Sequence, residues 1–145
     1  MTDRPLSRES YPLIVRHTTR WRDNDAYGHV NNAVFYEYVD SAVNLWLIEA
    51  GALEVPGGAV IGLVVASECV FFSGLGFPDP VDTGLRTARV GRSSVTYEVG
   101  LFRGAARQES ARARFTHVCV GRDDGRPVPL PQSLRQALKA LTLPD

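Results

Sequence analysis

Between residues 33 and 50 the apolar side chains Val34, Phe35, Tyr38, Val39, Ala42, Val43, Trp46 and Leu47 return at intervals of three and four, while Glu37, Asp40, Ser41 and Asn44 leave only a narrow polar stripe. That spacing predicts one long helix, with Gly51 as its stop. A surface helix shows a wider polar face, so a helix this apolar has to be wrapped by other elements. The chain that follows supplies them. Residues 60–72 are almost continuously apolar, 81–90 and 93–102 have strand character, and 110–120 end in Phe115, Thr116, His117, Val118, Cys119 and Val120. Val95, Tyr97, Val99 and Leu101 alternate with polar or small residues, which gives that strand one buried face. Gly91-Arg92 and Gly104-Ala105-Ala106 mark turns between successive strands, so antiparallel hairpins are the shortest connection. Residues 74–80 read as a loop.

Ahead of the helix, residues 13–21 carry an imperfect alternation rich in β-branched side chains and predict a strand. Residues 1–11 are polar, contain Pro5 and read as a loose arm. Pro127, Pro129 and Pro131 end strand pairing after the turn at 121–125, and 132–141 read as a short amphipathic helix. The order is strand, long helix, four strands, short helix. One buried helix against a curved antiparallel sheet of about five strands is an α+β layer architecture, and 145 residues make a single domain, 1–145.

Charge and cysteine content narrow the function classes. Sixteen basic and sixteen acidic residues give a formal net charge of zero, so nucleic acid and anionic membrane are not expected as partners. The N-terminal stretch lacks the apolar core of a signal peptide and no apolar run has the length of a membrane span, from which a cytoplasmic protein is expected. Cys69 and Cys119 each sit inside an apolar run, outside any Cys-x-x-Cys or Cys/His cluster, and read as buried thiols; no metal site is expected. There is no Gly-x-Ser-x-Gly elbow, phosphate loop or dinucleotide fingerprint.

The density of polar groups is highest where the first strand meets the helix, in Arg20-Trp21-Arg22-Asp23-Asn24-Asp25-Ala26-Tyr27-Gly28-His29-Val30-Asn31-Asn32. Helix N-termini present free backbone N–H groups and the positive end of the helix dipole. Gly28 can take the positive φ of a sharp reversal, and Asn31 or Asn32 can cap the helix. Two carboxylates, a histidine and two asparagines exceed what a cap requires.

Asp23-x-Asp25-x-x-Gly28-His29-Val30-Asn31-Asn32, followed by Phe35-Tyr36-x-Tyr38-x-Asp40, resembles the signature of hotdog-fold acyl-CoA thioesterases of the 4-hydroxybenzoyl-CoA thioesterase-like family, over roughly residues 12–132. The resemblance implies a hotdog fold, with the sheet curled around the helix, and a homodimer or homotetramer with active sites between subunits. It implies hydrolysis of an acyl-CoA to free acid and CoA, with the CoA thioester as substrate and no cofactor. It places the catalytic carboxylate on Asp25, as nucleophile or as general base on water, with Asp23, Gly28, His29, Asn31 and Asn32 in support. Where several family members carry a histidine or tyrosine seven residues after that aspartate, this chain has Asn32, which can hydrogen-bond but cannot exchange a proton at neutral pH.

The chemistry is consistent with so small a set. A thiolate leaves readily, so one carboxylate plus backbone N–H groups for the oxyanion suffice. CoA carries phosphates at its far end, and Arg89, Arg92, Ser93 and Ser94 put two guanidinium groups and two hydroxyls around one turn, as in related thioesterases. Glu68, inside an apolar run, needs an ion pair or a cavity. Phe35, Tyr36, Trp21, Tyr27 and Trp46 read as packing and acyl-chamber walls. The alternative function is a non-catalytic protein of the same fold that binds acyl-CoA or acyl-carrier protein.

Overall fold

The computed structural model describes residues 4–143. Five strands, β1 (Leu13–His17), β2 (Val60–Phe71), β3 (Val81–Val90), β4 (Ser94–Arg103) and β5 (Ala111–Gly121), form one antiparallel sheet in the order β1-β3-β4-β5-β2. The long helix α1 (Asn32–Glu49) packs on its inner face, and α2 (Gln132–Ala137) runs on into a 3₁₀ turn at Leu138–Leu141. This is the expected α+β hotdog architecture.

The alternation in β4 is what builds the core. Val95, Tyr97, Val99 and Leu101 all point inward and are 1% exposed or less, meeting Phe35, Val39, Val43 and Trp46 of α1. Each such apolar side chain contributes roughly 1.5–3 kcal/mol by leaving water, and Trp46 meets Tyr97 edge to face at 5.9 Å. The sheet covers one flank of α1 only. Leu45 and Ile48 remain 36% and 53% exposed, so in the single chain the helix is less wrapped than its composition predicts. The same holds for β2, an edge strand whose Leu63, Val64 and Val65 are all exposed.

The strand expected at 13–21 ends at His17, because a 3₁₀ turn at Trp21–Asp23 takes over: Asp23 Oδ2 accepts the backbone N–H of Arg20 at 2.9 Å and closes the chain on itself. The arm expected to be loose is pinned over its described residues. Arg8 donates to Asp82 Oδ2 at 2.8 Å and to Gly104 O at 2.7 Å, and Tyr11 is buried, its hydroxyl 2.5 Å from Glu109 Oε2. Glu68 stands exposed on the edge strand and borders a hollow on the outer face of the sheet; Arg114, opposite it in register, bonds Glu98 instead.

His117 on β5 is 5% exposed, between Tyr97 and Phe115. Burial holds its imidazole below the ordinary range, against a smaller pull from Asp40, and burial does the same at His17. The unfolded chain therefore takes up protons near pH ~6.5 that the folded chain refuses, so stability is full above that value and lost as pH falls through it. Asp23, Asp82 and Glu98 keep their charge across this window, since their arginine or tyrosine partners outweigh burial and hold each below the usual carboxylate range. The urea midpoint is expected to fall between about pH 7.5 and about pH 5.5, and less steeply in His117→Gln. Equal slopes in the two proteins count against this account.

Candidate active site

The junction between β1 and α1 is laced from both sides. Within it, Asp25 N–H donates to His29 O at 2.8 Å and Gly28 N–H to Asp25 O at 3.2 Å, a tight turn that Gly28 permits with φ 81°. On one flank Val30 N–H reaches Leu75 O at 2.8 Å and Phe77 N–H reaches Asn24 Oδ1 at 3.1 Å; on the other, Asn31 N–H reaches Asp23 O at 2.9 Å. The two carboxylates of the Asp-x-Asp pair are thereby sent in different directions.

Asp23 is 1% exposed and accepts from the Tyr38 hydroxyl at 2.5 Å and from Arg20. Burial works against its charge, but Tyr38 and Arg20 outweigh that and hold the carboxyl low. It anchors the junction to α1. Asp25 is half-buried. Its Oδ1 accepts Tyr27 N–H at 2.8 Å, and Oδ2 has no partner among the described residues. One oxygen therefore fixes the carboxylate and the other is left open.

Asp25 lines a cavity of about 570 Å³ with His29, Val30, Asn32, Phe35, Phe71, Phe72, Ser73 and Gly74. The ring of His29 lies against Gly74, where a Cβ would come within 2.7 Å of Cδ2, so glycine there is what lets the imidazole lie against the 73–74 backbone. Asn31 is the cap, its Oδ1 accepting Ala33 N–H at 2.9 Å. The Asn32 backbone N–H has no partner among the described residues. Ser73 Oγ donates to Ser110 Oγ at 3.0 Å.

Of the residues singled out in the sequence, Asp25, His29 and Asn32 meet in the cavity; Asp23, Gly28 and Asn31 shape its approach. Phe35 lines the cavity. Trp21 and Tyr27, at 76% and 87% exposed, wall nothing in the single chain, and Trp46 belongs to the core. The stretch from Phe71 to Gly74 was not foreseen: it reads as a strand end and loop, and only the β-sheet register brings it to the helix start. Arg89, Arg92, Ser93 and Ser94 do not line this cavity in their own chain. Arg89 borders a separate hollow of about 490 Å³ on the outer face, with Glu68, Thr96, Arg114 and Thr116. Bulges at Val64/Ala66 and Thr87/Arg89 fall in the same cross-strand row and bend the sheet there.

Burial pushes the Cys69 thiol up to about 11 and raises Cys119 too, which leaves both as thiols. Among the described residues no three His, Cys, Asp or Glu side chains gather closely enough to hold a metal ion. No helix there is long and apolar enough to cross a membrane.

Residues 19–138 match the family model of the thioesterase-like superfamily. The PA5185 protein of Pseudomonas aeruginosa PAO1 is 50% identical, with 96% of this chain and 97% of that one covered and a TM-score of 0.93. A thioesterase from Thermus thermophilus, crystallised with coenzyme A and zinc, is 31% identical over 92% of this chain and 96% of its own, with a TM-score of 0.72. A 1,4-dihydroxy-2-naphthoyl-CoA thioesterase from Synechocystis, 21% identical over 87% and 94% of the two chains, shares the fold with a TM-score of 0.79. No curated protein matches. On the match across 19–138 and the identity to the Thermus thioesterase, the chain belongs to the thioesterase-like superfamily and is a hotdog-fold thioester hydrolase.

Proposed function

We propose that the protein hydrolyses acyl-CoA thioesters to free acid and CoA, with Asp25 as the catalytic carboxylate. The observation that carries this is the Asp25 side chain itself: Oδ1 tied down by Tyr27 N–H, Oδ2 unpartnered among the described residues, in the lining of a cavity with aromatic walls. With the thioester carbonyl beside it, Oδ2 attacks the carbonyl carbon or takes a proton from water that does. The oxyanion that forms needs donors, and the unpaired Asn32 N–H at the start of α1 is one, favoured by the helix dipole. His29 and the Asn32 side chain orient the substrate at the same end. The thiolate of CoA leaves without a strong acid. No cofactor is needed for this sequence of steps.

We assign the phosphates of CoA to Arg89, Arg92, Ser93 and Ser94. Arg89 and Arg92 form no ion pair among the described residues, which leaves both guanidinium groups available. Because these residues stand apart from the Asp25 cavity of their own chain, the pantetheine arm or a second copy has to span the separation. A second copy is expected: β2 is a twelve-residue edge strand with Leu63, Val64 and Val65 exposed, and such an edge invites pairing with its equivalent in a homodimer, or in a tetramer built from dimers. Light scattering is expected to give at least twice the chain mass, and Val64→Lys to shift it toward the monomer; a monomeric wild type overturns the assembly. The cytoplasm, where CoA esters are made and used, suits two free thiols.

Release of free thiol from a panel of acyl-CoAs, by wild type and Asp25→Asn side by side, tests the reading. Turnover by wild type and its loss in the variant support it. Binding of CoA esters without turnover by either protein returns the cavity to the non-catalytic alternative.

A further inference from the structure

The Asp25 cavity is lined by polar groups, Asp25, His29, Asn32 and Ser73, and by aromatic ones, Phe35 with the end of β2. Two phenylalanines in succession leave that strand, and alternation sends their rings to opposite faces of the sheet. Phe72 turns to the outer face, where the Arg112 guanidinium lies 5.6 Å from its ring centre. Phe71 is in register with Ala111, a core residue, so its ring turns to the helix side and meets Phe35 edge to face with centroids 4.9 Å apart. The two partners differ in how firmly they are held. Phe35 is 3% exposed and locked in the core; Phe71 is 47% exposed and held along one edge.

We infer that Phe71 sets the upper size of the acyl group, as a displaceable wall closing the acyl chamber against Phe35. This rests on the acyl-CoA reading above. With the thioester carbonyl at Asp25, the acyl tail packs toward the Phe35–Phe71 ring pair, where it leaves water. A short tail stops at the ring pair. A longer one has to push Phe71 off Phe35, giving up the edge-to-face contact before it gains any new burial. Discrimination by one methylene in an apolar pocket amounts to roughly 10- to 200-fold, so one ring is enough to set a chain-length optimum.

The experiment compares kcat/KM over straight-chain acyl-CoAs from acetyl to dodecanoyl for wild type, Phe71→Ala and Phe71→Leu. Phe71→Ala is expected to raise the long-to-short ratio of kcat/KM by about tenfold or more, mainly through a lower KM for the longer esters. Phe71→Leu, which keeps most of the volume and guards against a folding defect in the alanine variant, is expected to lie between. An unchanged profile in both variants overturns the inference. Asp25→Asn on the same panel separates the two readings: loss of turnover across all chain lengths concerns the carboxylate, whereas a shifted optimum concerns the wall. A wild type inactive on every ester overturns both.

Discussion

Asp25→Asn is expected to lower kcat by a hundredfold or more while leaving KM and the affinity for free CoA close to wild type. Removing a principal catalytic group or oxyanion donor costs on the order of 10²–10³ in rate, and nothing else in the cavity can replace this one. Asn32 does not titrate, the His29 ring is packed against Gly74, and both cysteines are held as thiols. The amide is the right control because its oxygen still accepts Tyr27 N–H, so the 25–29 turn keeps its shape and only the charge and the free nucleophilic oxygen are lost. A variant that keeps a tenth or more of wild-type kcat removes Asp25 from the chemistry and leaves it a turn residue. A single turnover in H₂¹⁸O tests for the covalent route. Label found in the Asp25 carboxyl marks a mixed anhydride opened at the enzyme's own carbonyl carbon; general-base attack, like an anhydride opened at the acyl carbon, puts solvent oxygen into the released acid and leaves Asp25 unlabelled.

What was legible in the sequence was what is local. The inward positions of β4 could be read because alternation is a property of one strand, and β3 runs from Val81 to Val90 as its composition predicts. The helix start was equally plain, since Gly28, Asn31 and Asp25 act within seven residues of one another. The separation of Asp23 from Asp25 is not written in the local pattern, and only the family resemblance distinguishes the two. Asp23 is removed from the cavity by Tyr38, fifteen residues on, and by the guanidinium of Arg20, neither of which a local pattern relates to it. Phe71 to Gly74 escaped for the same reason at larger separation: the β2–β5 register and the Val30–Leu75 hydrogen bond carry that stretch to the helix start. The exposed flank of α1 has a different cause. Its composition was read as wrapped, and five strands of one chain cover only one side.

Glu109→Ala is expected to cost about 3–5 kcal/mol of stability, the range for breaking a buried charged pair from one side, and to release the N-terminal arm. Residues 1–11 read as a loose arm because they are polar and contain Pro5, yet the partner that fixes the described part of it stands about a hundred residues away. Glu109 is 2% exposed and gathers three donors: the Tyr11 hydroxyl at 2.5 Å, the backbone N–H of Leu6 at 2.9 Å, and the Arg112 guanidinium. Without the carboxylate each of the three loses an acceptor, the Tyr11 hydroxyl and the Arg112 guanidinium at buried positions. Tyr11 is committed to that place. A Cβ on Gly84 or Gly100 would come within 2.5 or 2.6 Å of its ring, so the ring fills the space two glycines leave on the outer face of β3 and β4. Burial, with Glu109 beside it, holds the Tyr11 phenol protonated far above its ordinary range, so the hydroxyl stays a donor at every working pH. Urea unfolding measures the loss, and limited proteolysis within residues 4–11 reads the arm directly: faster cleavage in Glu109→Ala than in wild type is expected, and in Tyr11→Phe, which removes one of the three donors and keeps the ring, a smaller change in both. A Glu109→Ala protein within about 1 kcal/mol of wild type would mean that the cluster is worth no more than a surface ion pair and that the arm is held by its other bonds, among them Arg8 on Asp82 and Gly104 and the Arg8 N–H on Arg107 O.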